Sequence, residues 1–177
     1  MTSISSSLPP VGLPDGPWVA YYGDDFTGST DVMEAFTAAS VPTVLFLQTP
    51  DASSLARFSH MRCVGLADTS RGRDPAWMRA HLPSAFASLR QLGAPILQYK
   101  VCSTFDSAPH VGSIGQAIDL GVQGLSARWS PTIVGAPRLQ RFQVFGQLFA
   151  GFMGDAHGRG GPADASGATN PAPHRVD

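Results

Sequence analysis

From Trp18 onward, short apolar runs alternate with amphipathic stretches. WVAYYG (18–23) is apolar and closes on Gly23. After DDFTG, residues 29–40 place Val32, Met33, Ala35, Phe36 and Ala39 at helical spacing. The pattern predicts a strand, a tight loop and a helix. The rhythm then repeats. VPTVLFL (41–47) is β-branched and predicts a strand, SLARF (54–58) begins a short helix, and CVGLAD (63–68) reads as another buried strand. Residues 74–93 predict a long helix with Asp74 as N-cap and Pro75 at its first position. Pro83 inside it predicts a kink or a break. APILQYKV (94–101) is the next strand, residues 113–125 the next helix, and SPTIVGAP (130–137) the last strand.

Strands alternating with helices predict a parallel sheet, because parallel neighbours need crossover connections. The strands are continuous apolar runs, as a sheet buried on both faces requires. The expected fold class is therefore α/β: an open three-layer, mostly parallel sheet with helices on both faces. Residues 1–17, rich in Ser, Pro and Gly, predict a flexible arm. Residues 18–153 form the expected domain. Residues 154–177 are dominated by Gly, Ala, Pro and small polar residues, with Val176 as the one large aliphatic, and predict a disordered tail.

Composition narrows the function classes. The 177 residues are 43% hydrophobic and 14% charged, enough apolar content for one core and too little charge for a disordered chain. The net charge of -1 removes the electrostatic case for a nucleic-acid partner. No apolar run approaches the roughly 18 residues that span a bilayer, so no membrane partner is expected. Cys63 and Cys102 are too few for a disulfide scaffold, and the first residues lack a secretory signal. A cytoplasmic protein is the expectation. The five histidines have no metal-site spacing, so no bound metal is expected.

Two strand-end loops carry candidate chemistry. In Asp24-Asp25-Phe26-Thr27-Gly28, Gly28 allows close backbone approach, and the helix start offers N–H donors to a carboxylate or phosphate. Asp24 and Asp25 suit the hydroxyls of a polyol. The plainer alternative is that Asp25 only caps the helix, worth about 1 kcal/mol. The second loop runs from Tyr99 to Ser107. Lys100 is the only lysine in the chain, and it stands at a strand end next to Ser103, Thr104 and Asp106. Gly112-Ser113-Ile114-Gly115 opens a second helix with the same anion-friendly chemistry. Arg71, after the third strand, could fork onto a carboxylate or be a solvated loop residue. Cys102 lacks a histidine base in sequence and reads as a packed thiol.

Together, YYGDDFTGSTDVMEAF, CVGLADTSR, YKVCSTFDSAPHVGSIGQAIDLG, TIVGAP and RFQVFGQLFA resemble the four-carbon acid sugar kinase family, over about Trp18 to Ala150. These kinases use ATP to phosphorylate threonate, erythronate, their 3-oxo forms and related acids. In that family the first domain holds the sugar acid, and a separate carboxy-terminal domain holds ATP and its Mg ion. The resemblance implies a small sugar-acid substrate lined by Asp24, Asp25, Thr27, Gly28, Arg71, Lys100, Ser103, Thr104 and Asp106. It implies catalytic roles for Asp24, Asp25 and Lys100: one Asp positions the reacting hydroxyl or takes its proton, and Lys100 offsets charge. Which Asp does which is left open.

The family pattern gives way after Phe152 to the Gly/Ala/Pro tail, and no GxxxxGK[ST] loop takes the place of the nucleotide domain. A frameshifted or truncated gene would leave such a chain, catalytically incomplete alone and binding no cofactor itself. The alternatives are a stand-alone sugar-acid-binding module, half of a split kinase paired with a separately encoded nucleotide-binding domain, or a gene remnant. A phosphatase of the aspartyl-phosphate kind fails, because it wants a second Asp two residues after the first, where Phe26 or Thr27 stands.

Overall fold

A computed structural model of the chain describes residues 12–127, 129–137, 141–150 and 168–169. Four parallel strands form the main sheet: β1 (Val19–Gly23), β2 (Thr43–Phe46), β3 (Cys63–Ala67) and β4 (Ile96–Lys100), in the order β2-β3-β1-β4. The helices are α1 (Phe26–Ala38), α2 (Ala52–Arg57), α3 (Pro75–Gln91) and α4 (Ile114–Leu125). The expected α/β architecture is present, with helices packed on both sheet faces.

Strand alternation explains the two cores. Val19 and Tyr21 of β1 point to one face, where they meet Cys63 and Val32 of α1, with Phe36 and Leu45 beside them. Ala20 and Tyr22 point to the other, where Met78, Leu82, Ala85, Phe86 and Leu89 of α3 and Ala117 of α4 cover them. All five residues of β1 and of β3 are buried. That is why they read as unbroken apolar runs.

Asp74 caps the long helix as expected, while α1 and α2 begin earlier, at Phe26 and Ala52, than the expected 29 and 54. Asp25, Asp51, Asp74 and Ser113 cap α1, α2, α3 and α4, each side chain accepting a backbone N–H three residues on. Pro83 does not break α3, which runs unbroken through it. The proline lies on the exposed side of the helix, whereas Leu82, Ala85 and Phe86 are buried against the sheet. Water can serve the carbonyl freed there, and the packed face holds the helix together.

Residues 130–137 do not form the expected strand. Of these, residues 130–134 line, with Ile96, Leu97 and Tyr99 of the edge strand β4, an apolar cleft of ≈ 400 Å³. Pro131 lacks a donor. The Gln143 amide accepts from the Val134 N–H at 3.0 Å and donates to the Thr132 carbonyl at 3.3 Å, taking backbone groups that a sheet neighbour would use. Gln143 belongs to a hairpin the sequence pattern did not single out: β5 (Arg141–Val144) and β6 (Gln147–Ala150), turning at Phe145 and Gly146, both with positive φ. A two-residue strand, β7 (Ala168–Thr169), pairs with β6. Most of the tail and residues 1–11 of the arm lie outside the described residues. Within the arm, Gly16 accepts from Arg62 and Pro14 from the Trp18 indole.

Tyr21 shows how tightly β1 and β3 are fitted. Its ring crosses Gly65, so a Cβ there would lie 2.1 Å from the ring, and its hydroxyl donates to the Ser29 carbonyl at 3.0 Å. Gly65→Ala should cost about 1–3 kcal/mol, because neither the strand nor the tethered ring can yield freely. Chemical denaturation checks this; an unchanged midpoint would refute it.

Candidate functional site

The parallel pairing of β1 with both neighbours aligns Gly23 with Ala67 on one side and with Lys100 on the other. The loops after β1, β3 and β4 therefore leave the sheet side by side. Backbone bonds lock them: Asp24 N–H to Lys100 O at 3.0 Å, Asp68 N–H to Gly23 O at 3.0 Å, and Arg71 N–H to Asp24 O at 3.1 Å. Ligands in open parallel sheets bind at such carboxyl ends.

Arg71 ties the loops through its side chain. Its guanidinium donates to Asp25 Oδ2 at 3.0 Å, to Thr104 Oγ1 at 3.1 Å and to Asp106 Oδ2 at 2.5 Å. Thr104 also donates to Asp106, at 2.6 Å. Arg71 is held in place by Gly112, whose N–H donates to Arg73 O and whose missing Cβ leaves room for the Arg71 carbonyl. Asp106 sits below the usual carboxylate range, because the Thr104 hydroxyl and Arg71 both favour its charged form.

Gly28 marks where the first loop meets Lys100. A Cβ on Gly28 would lie 2.8 Å from Asp25 Oδ1 and 3.1 Å from Lys100 Nζ, so the acidic loop and the lone lysine occupy the same corner. Lys100 donates to the Val101 carbonyl. Asp25 is fully engaged: Oδ1 accepts the Gly28 N–H at 2.5 Å and Oδ2 accepts Arg71. The capping role and the site role thus fall on one residue.

Asp24 differs sharply from its neighbour. It is 4% exposed, and its Oδ1 is buried without a hydrogen-bond partner. Burial, then the negative charge of Asp25, push its carboxyl up to about 6; Lys100, Arg71 and the Cys102 backbone amide oppose this only in part. Behind it, Tyr99 exchanges a hydrogen bond of 2.9 Å with the buried Ser70, and burial raises its hydroxyl above the usual tyrosine value.

The remaining expected site residues fall close by. Ser103 and Lys100 line a cleft of ≈ 160 Å³ together with Cys102, Gln98, residues 133–136 and Asp31. That volume suits a ligand of a few heavy atoms. Asp24, Asp25, Thr27, Gly28, Arg71, Thr104 and Asp106 lie outside its lining. Thr27 is exposed, and its carbonyl accepts from Thr30. Asp31 escaped the sequence reading, although its three-residue spacing from Gly28 on a helix was a signal that the two share a face. The start of α4 is less open than expected: Ser107 Oγ and Ser113 Oγ already accept from the Ile114 and Gln116 amides.

Residues 19–170 match the family described as sugar-binding N-terminal domain. The chain belongs to the four-carbon acid sugar kinase family, as its sugar-binding domain. It is 64% identical over 141 residues to a 3-oxo-isoapionate kinase of Paraburkholderia graminis, a stretch covering 80% of this chain and 30% of that one. A 3-oxo-tetronate kinase of Methylobacterium radiotolerans is 34% identical over 96 residues, which is 54% of this chain and 22% of the relative. A solved domain of unknown function from Bordetella bronchiseptica, a domain-swapped dimer with bound citrate, superposes with TM-score 0.63 at 25% identity. That superposition covers 77% of this chain and 34% of the other. The sugar-binding domain thus spans less than a third of the kinase relatives' length. Among the described residues, no helix is long and apolar enough to cross a membrane.

The buried Asp24 makes stability depend on pH. Its folded value of about 6 lies above the ordinary 3.8 of the unfolded chain, so between these values the folded state holds a proton that the unfolded chain has lost. Stability should therefore fall as pH rises from 4 through 6. Asp24→Asn removes this dependence and should gain on the order of 2–3 kcal/mol over the wild type between pH 4 and pH 7. Urea unfolding at a series of pH values measures it; parallel profiles for the two proteins would contradict it.

Proposed function

We propose that this domain holds the sugar-acid substrate of an ATP-dependent kinase, a 3-oxo-isoapionate, 3-oxo-tetronate, threonate or erythronate type of acid. The carrying observation is the meeting of Arg71 and Lys100 with Asp24, Asp25 and Asp106 at three adjoining strand ends. Cations and carboxylates side by side match a ligand that carries one carboxylate and several hydroxyls. The printed activity of the 64%-identical relative supports the same substrate class.

The division of labour follows from the chemistry. Arg71 and Lys100 face the carboxylate of the acid or the charge on a transferred phosphoryl group. The aspartates hydrogen-bond its hydroxyls and orient the one that reacts. Assigning ATP and its Mg ion to another domain is supported by side chains that already accept the Gly28 amide of α1 and the Ile114 and Gln116 amides of α4. The nucleotide is held by a domain outside these 177 residues, on the same chain or on a separate one. Cytoplasmic sugar-acid metabolism is the proposed setting.

Calorimetry with threonate tests the reading. Binding should be measurable, and Arg71→Ala or Lys100→Ala should weaken it about tenfold or more, the loss of one charge-assisted hydrogen bond. The 177 residues alone should turn over ATP at no measurable rate, and adding the remaining part of a relative as a second chain should restore turnover. Unaltered affinity in both variants would refute the site. Ordinary kinase turnover by the chain alone would refute the assignment of ATP to another domain.

A further inference from the structure

We propose that the charged corner at the ends of β1, β3 and β4 takes up its anionic ligand together with one proton, and that Asp24 holds that proton while Asp25 serves as a fixed scaffold. The proposal builds on the sugar-acid reading above, and it answers which aspartate exchanges protons.

The first observation is the count of charges. Three carboxylates, Asp24, Asp25 and Asp106, share this corner with two cations, Arg71 and Lys100. With all five ionised, the corner already carries excess negative charge, and a carboxylate ligand would deepen it. One proton taken up on binding returns the corner to the charge it had before the ligand arrived. The second observation is the contrast in partners. Protonating Asp25 would cost it the Arg71 ion pair and weaken the cap on α1. Protonating Asp106 would cost it bonds from Arg71 and Thr104. Asp24 has a buried Oδ1 that accepts nothing, so a proton there breaks no bond.

Groups from four neighbouring segments act on the charge of Asp24. Asp25 adjoins it in the β1 loop, Arg71 comes from the β3 loop, Lys100 and Tyr99 from β4, and the Cys102 amide from the β4 loop. In water-poor surroundings a ligand carboxylate acts on it strongly. The neutral acid is favoured in the absence of solvent, consistent with a carboxyl pushed up to about 6. The step is balanced: the ligand arrives as an anion, solvent supplies one proton, and Asp24 becomes neutral.

The experiment combines carboxyl-carbon NMR of the 177-residue protein with calorimetry in two buffers of different ionisation enthalpy. Threonate and sulfate serve as probes, since both keep a fixed charge from pH 5 to 8. In the free protein one aspartate should titrate near pH 6, and its signal should vanish in Asp24→Asn. Threonate should bind with uptake of about half a proton or more at pH 7. Its dissociation constant should then rise by up to tenfold per pH unit above pH 6. Asp24→Asn should bind without proton uptake and with a flat pH profile, its fold checked by circular dichroism. Sulfate binding with proton uptake where threonate fails would keep this proposal and refute the sugar-acid reading. Binding of either probe without proton uptake, a titration near pH 6 that survives in Asp24→Asn, or binding of neither probe would overturn it.

Discussion

The pairing of β1 on both sides is the constraint from which the site follows. Because β3 and β4 run parallel to β1 in matched register, Ala67, Gly23 and Lys100 end level with one another. A shift of one residue in either pairing would turn a strand's side chains to the opposite face. Tyr21 would leave Gly65, and Tyr22 would leave its stacked contact with Tyr99. Two fully buried tyrosines on opposite faces of one strand therefore hold the register that gathers the acidic loop, Arg71 and Lys100.

The charged groups are largely satisfied by one another. Arg71 spans from Asp25 to Thr104 and Asp106, bonding residues up to 46 positions from it in the chain. Such a network fixes geometry before any ligand arrives, which lowers the ordering cost of binding. It also exposes the exception: within a set of paired carboxylates, Asp24 carries a buried oxygen that nothing satisfies. A buried carboxyl of this kind is tolerated by taking a proton, and folded proteins keep such groups mostly where chemistry needs them.

Away from the site, the molecule presents apolar surface. The main sheet stops at β4, whose Ile96 is 57% exposed, in contrast to the wholly buried β1 and β3. Ile133 beside that edge, Trp129 and Phe145 at the hairpin tip are more exposed still. The relatives are some three times longer than their match to this chain. Exposed aromatic and aliphatic residues grouped at a sheet edge mark a surface that another segment or chain can cover.

Period and punctuation in the chain determined the α/β class, the four parallel strands, the four helices and the Asp25 and Asp74 caps as local chemistry, since each depends on residues a few positions apart. The resemblance to sugar-acid kinases likewise lay in contiguous motifs. What the tertiary structure alone decided is of longer range. Pro83 stays within a continuous helix because its neighbours are buried against the sheet. Residues 130–137 stay out of the sheet because Gln143 claims their backbone. Asp31 lines the cleft beside Lys100 because α1 lies across the sheet end. The two adjacent aspartates are alike on paper; one becomes a cap paired to Arg71 and the other a buried acid, because solvent access and charge partners come from strands that the sequence keeps far apart.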